Sequence, residues 1–134
     1  MLIPAHKEMI KETLSQLQYA EGELQRPSKD VVSISVCNTS RESMKAIMRV
    51  YLMSKGVNIQ AQQSIRDYID HCAAIDKEFA TVDTSCIGCQ HMDQKACESK
   101  YCLEHDDVDA CLTVANRLKD LVLIKMNIKP IDVA

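Results

Sequence analysis

Four of the seven cysteines stand together in one polar stretch, CIGCQHMDQKACESKYC, spanning Cys86–Cys102. Cys86 and Cys89 form a CxxC pair, which puts two thiolates on one turn within reach of a single ion. Gly88 inside the pair eases the bend. Cys97 and Cys102 would complete a tetrahedral zinc site, with His91 as a substitute ligand. Zinc would also order a long polar stretch that has few apolar anchors. The second half is not CxxC, so a helical turn with Cys102 facing a core is the structural alternative. An iron–sulfur cluster fits less well, because the spacings differ from the known ones. A redox pair at Cys86 and Cys89 is a third chemistry, without the βαβ context of a thioredoxin-like motif.

A second constellation is Arg66, Asp67 and His71, in the string RDYIDH. At i and i+5 on a helix, Arg66 and His71 are expected on adjoining faces, both able to approach one phosphate. A His that moves a proton and an Arg that steadies phosphate charge suffice for metal-independent RNA cleavage. The structural alternative is a solvated polar face. Glu104, His105, Asp106 and Asp107 form a polar cluster that helix capping explains. Lys45, Arg49 and Lys55 read as a solvated basic strip. Gly-rich phosphate loops, HExxH and GxSxG are missing from the sequence. Cys37, Cys72 and Cys111 fall in regularly patterned segments and read as small core hydrophobes.

The elements that must carry these residues are helices. The chain has 134 residues, with 3 Gly, 3 Pro, 7 Met and a single Phe. That length suits a single domain, 1–134, able to build a core from Ile, Val, Leu, Met, Ala and Cys. A net charge of −3 argues against a surface dedicated to duplex phosphate. The start MLIPAHKEMIKE carries no apolar run behind a basic region, and no segment is apolar enough to cross a bilayer. A cytoplasmic protein with no membrane association is therefore expected, with its cysteines reduced.

Apolar residues recur at helical spacing in four places. The first segment, about Ala5 to Gln25, carries Ile10, Leu14, Leu17 and Leu24, and Pro27 stops it. Val31–Asn38 alternates like a strand, and Thr39 with Glu42 resembles a capping box. A lone strand has no partner, so a long helix from about Asp30 to Ser54 is the preferred reading. Its stripe is Met44, Ile47, Met48, Tyr51 and Leu52, and Gly56 ends it. A third helix is expected from about Ala61 to Phe79, with a stripe of Ile65, Tyr68, Ile69, Cys72, Ile75 and Phe79. The polar segment 81–105 follows as a cysteine-rich loop insertion. Asp106 and Asp107 open the last helix, whose stripe is Val108, Cys111, Leu112, Ala115, Leu118 and Val122, and Pro130 closes it. The expected fold class is all-α, a four-helix up-and-down bundle.

Three stretches resemble the HEPN domain family. SRESMKAIMRVYLMSKGV (Ser40–Val57) looks like that family's second helix with its AxKAxLxxxG pattern. SIRDYIDHC (Ser64–Cys72) is similar to the helix that follows, and DDVDACLTVANRLKDLV (Asp106–Val122) to the closing helix. The resemblance implies a helical bundle that forms a homodimer and binds a nucleotide or RNA, often beside a nucleotidyltransferase partner. Ribonuclease members carry an Arg, a polar residue and then, after three intervening residues, a His, a string that Arg66, Asp67 and His71 satisfy. Family members place it near the entry to the last helix, whereas here it lies one helix earlier. The expected function is a non-catalytic module binding a nucleotide, RNA or a protein partner. The alternatives are a metal-independent, toxin-like ribonuclease, or a thiol-based zinc or redox site.

Overall fold

A computed structural model describes residues 4–25, 33–59, 64–82 and 105–129. They form α1 (Pro4–Leu24), α2 (Ser33–Ser54), α3 (Ile65–Ile75), a 3-10 turn (Lys77–Thr81) and α4 (His105–Lys125). The described residues are all helix and connection, so the all-α expectation holds. Pro4 opens α1 at a position where its missing N–H would have had no helical partner.

The helix preferred over the Val31–Asn38 strand is observed from Ser33 onward. It continues through Thr39, so the capping-box reading at that position does not apply. α2 is the central element and packs on α1, α3 and α4. Met44, Ile47, Met48 and Leu52 are fully buried, as are Ile10 of α1, Ile65 and Cys72 of α3, and Leu118 and Val122 of α4. Each large aliphatic side chain so buried contributes about 1.5–3 kcal/mol relative to exposure. Buried hydroxyls bond back one turn: Thr13 donates to the Met9 carbonyl at 3.0 Å, and Ser40 to the Val36 carbonyl at 2.8 Å.

The third helix is shorter than its periodicity suggests. Ser64 is its N-cap, and the Asp67 backbone N–H donates to the Ser64 hydroxyl at 3.1 Å. At the other end Asp76 is extended (φ −141°, ψ 118°), which halts the helix at Ile75. The Asp76 carboxylate then accepts from the Glu78 N–H at 3.0 Å and starts the 3-10 turn. Phe79 is thereby buried against Tyr51, with ring centroids 4.8 Å apart and tilted by 44°. Ile75, expected in the apolar stripe, is instead 41% exposed.

α2 and α4 end alike. Gly56 (φ 77°) and Asn127 (φ 57°) take the left-handed conformation just past each helix. The Val57 N–H reaches back to the Leu52 carbonyl at 2.9 Å, and the Ile128 N–H to the Leu123 carbonyl at 2.8 Å. Gly56 and Asn127 themselves donate to Met53 and Ile124, both at 3.0 Å. Both are Schellman caps, with Val57 and Ile128 packed on the core. Asn127, not Pro130, therefore closes α4. Near the starts of α2 and α4, Cys37 and Cys111 are both buried. At the opposite end Lys125 pairs with Asp76 at 3.0 Å and Glu78 at 2.9 Å.

Candidate functional site

α1 and α2 face one another through two short polar sets. Ser15, Gln16 and Tyr19 come from α1, and Asn38, Thr39 and Glu42 from α2. Both triplets have the spacing i, i+1, i+4, which places their members on one side of a helix. Between them lies an open groove of about 380 Å³. Its edge is fixed by a 3.4 Å hydrogen bond from the Ser43 hydroxyl to the Gln16 side-chain oxygen. Tyr19 is 65% exposed. The lining is thus two amides, two hydroxyls, one carboxylate and one aromatic face. Such a set can hydrogen-bond the edge of a planar heterocycle and stack against its face.

The residues read as candidates for RNA cleavage are all on or beside the outer surface of α3. Arg66 and His71 are exposed, and Asp67 is half-buried. Five residues at 100° each separate Arg66 and His71 by about 140° around the helix axis. The Asp67 carboxylate accepts from the Ser64 backbone N–H at 3.3 Å, completing a capping box. It is held at the helix start, and the three residues are not drawn into one pocket.

Cys86, Cys89, His91, Cys97 and Cys102 lie outside the described residues, as does most of the loop 81–105. Among the described residues there is no group of three His, Cys, Asp or Glu side chains that could hold a metal. Nor, among them, is any helix long and apolar enough to cross a membrane.

The three cysteines read as core are buried. Their environments differ. Cys72 sits 4.0 Å from the Met48 carbonyl, and burial pushes its thiol up to about 12. Cys37 moves the other way. Its sulfur takes a hydrogen bond from Cys111, and the Arg41 guanidinium adds positive potential; together these outweigh burial and hold it below the usual thiol value. Arg41 is itself only 2% exposed.

Sequence reasoning missed the groove and Arg41, and both left a trace. Arg41 falls at the core register of α2, between Cys37 and Met44. The groove residues make a patch on α1 and another on α2 that are polar with few charges, unlike an ordinary solvated face. Set against known proteins, the chain matches no family model, no curated protein and no solved structure.

Proposed function

We propose that this chain is a non-catalytic binding module of HEPN-like kind, whose α1–α2 groove seats the base of a nucleotide or of an RNA end. The observation that carries this reading is the lining of the groove: hydrogen-bonding side chains around one exposed aromatic ring, with Lys and Arg missing from the lining set. Its volume lies within the usual range for small-molecule sites. Stacking a base on Tyr19 contributes about 1–3 kcal/mol. Ser15, Gln16, Asn38 and Thr39 can each donate or accept along the base edge. Glu42 only accepts when ionised, so it favours a base with an adjacent N–H pair, such as guanine, over one with bare acceptors. The phosphates then point to solvent, away from the Glu42 carboxylate. In the finer form of this reading the four helices are an up-and-down bundle, paired as a homodimer beside a nucleotidyltransferase or another protein partner.

Titration of the protein with guanosine, adenosine, cytidine and uridine, followed by amide chemical shifts, tests the seat. Guanosine is expected to bind with a Kd of roughly 0.1–1 mM and to move the signals of Tyr19, Asn38 and Glu42. Tyr19→Ala and Glu42→Gln, both at solvent-facing positions, should each weaken binding by about tenfold. Shifts confined to α3, or equal binding by the Glu42→Gln variant, would overturn the assignment.

A further inference from the structure

A hydroxyl buried in a helix ordinarily bonds to the carbonyl one turn back, as Thr13 and Ser40 do here. Ser43 departs from that habit. It lies in one buried stripe of α2 with Val36, Ser40, Ile47 and Val50, and it is 1% exposed. Its hydroxyl leaves its own helix and donates to Oε1 of Gln16 on α1, at 3.4 Å. Gln16 lines the α1–α2 groove, and so does Glu42, the residue that precedes Ser43.

We propose that Ser43 is a positioning residue that orients the Gln16 amide, so that Gln16 donates to the 6-oxo group of a purine seated in the groove. This rests on the base-seat reading above and extends it to a two-point reading of the purine edge. A glutamine amide accepts at one end and donates at the other. Left free, it turns over and suits either kind of partner. Here the buried Ser43 hydroxyl holds the oxygen, and turning the amide over would break that bond. The NH2 end is then what Gln16 offers to a ligand.

Glu42, next to Ser43 in the chain, offers acceptors alone when ionised. A donor beside an acceptor matches the O6 and N1–H of guanine or hypoxanthine. Adenine presents the reverse, an amino group at position 6 and a bare N1, so both contacts set like against like. A site built to hydrogen-bond one such edge rejects the other, because its own polar groups are left unpaired. The groove therefore selects 6-oxopurines over 6-aminopurines. Ser43, which does not line the groove, sets half of that choice through Gln16.

The test titrates the full chain with guanosine, inosine, 6-thioguanosine and adenosine, and follows the Gln16 side-chain NH2 signals by NMR. Inosine keeps O6 and N1–H, whereas 6-thioguanosine keeps N1–H and carries sulfur, a poor acceptor, at position 6. Guanosine and inosine should move the Gln16 signals, and 6-thioguanosine should bind about three- to tenfold more weakly than guanosine. Ser43→Ala should lower the guanosine-to-adenosine affinity ratio by about the same factor, since the amide is then free to turn over. Guanosine that moves Tyr19 and Glu42 but not the Gln16 NH2, with 6-thioguanosine bound equally well, would overturn the proposal and leave the base seat standing. Failure of guanosine to bind in the groove would overturn both. If Ser43→Ala weakens every nucleoside alike and keeps the ratio, Ser43 only ties α1 to α2, and the proposal falls. In the unaltered free protein, a strong nuclear Overhauser contact from the Gln16 NH2 to the Ser43 β-protons would show the amide turned over and overturn it as well, even if Ser43→Ala does not fold.

Discussion

Single residues of this bundle differ in importance by where their side chains end up, and the differences are measurable. Ile47 is fully buried, whereas Ile69 is only partly covered and Ile75 is exposed. Ile47→Ala should therefore cost about 2–5 kcal/mol in a denaturant titration, Ile69→Ala less, and Ile75→Ala close to nothing. Equal losses at all three would mean that α3 does not sit on α2 as described. Asp76 supports a pH dependence. The Glu78 backbone N–H, then the Lys125 ammonium, holds its carboxyl below the ordinary carboxylate value. A depressed acid stabilises the fold above its unfolded value and loses that contribution as pH falls through the folded one. Melting temperature should thus drop as pH falls below about 4, and part of that drop should be missing in Asp76→Asn. Lys125 has the opposite sign: its bonds to Glu78 and Asp76 raise its value, so its contribution is complete below the unfolded lysine value and disappears only in strong alkali. At the surface of α3, His71 is exposed and Asp67 is engaged in a cap. Wild type and His71→Ala should leave a single-stranded RNA equally intact, since a working proton donor or acceptor would contribute about 10²–10⁴-fold. Metal-independent cleavage lost in the variant would replace the binding reading with a nuclease.

At the scale of elements, helix ends decide the architecture, and they were unevenly legible. Gly56 could be read directly, because glycine is the usual residue of a left-handed cap. Gly56→Ala should destabilise by about 1 kcal/mol. An added Cβ there meets nothing within 4 Å, so the whole loss would be backbone strain. An unchanged denaturation midpoint would show that the turn has an alternative conformation. Asn127 performs the same task at α4 and is hidden, since asparagine is as common in ordinary turns. The α3 boundary is hidden for a different reason. Its apolar spacing continues through Ile75 to Phe79, and periodicity alone cannot reveal that Asp76 interrupts it. Only the carboxylate bonding forward to Glu78 does so. The long α2 was legible because a strand at Val31–Asn38 would have had nothing to pair with. The groove was not, because two polar patches become a site only when α1 and α2 lie side by side, and that neighbourhood is a tertiary fact.

At the scale of the molecule, the described core draws on α1, α2, α3, the 3-10 turn and α4, each contributing buried side chains to one cluster. Its polar ties likewise run between those elements: Asn116 of α4 donates to Glu21 of α1 at 2.9 Å, and Lys125 binds the junction that follows α3. A bundle built this way has its own hydrophobic driving force. It does not resemble small metal-dependent domains, in which the ion supplies most of the folding free energy. If zinc is held by Cys86, Cys89, Cys97 and Cys102, or with His91 as a substitute ligand, its effect should be local. Chelation, or Cys86→Ser, is expected to increase protease cleavage between Thr81 and His105 while helical circular dichroism and the melting transition of the remainder stay as they were. Loss of the whole helical signal on chelation would show that an ion is part of the core. Unchanged cleavage, together with a purified protein that carries no stoichiometric zinc, would leave the cysteine stretch without a metal role.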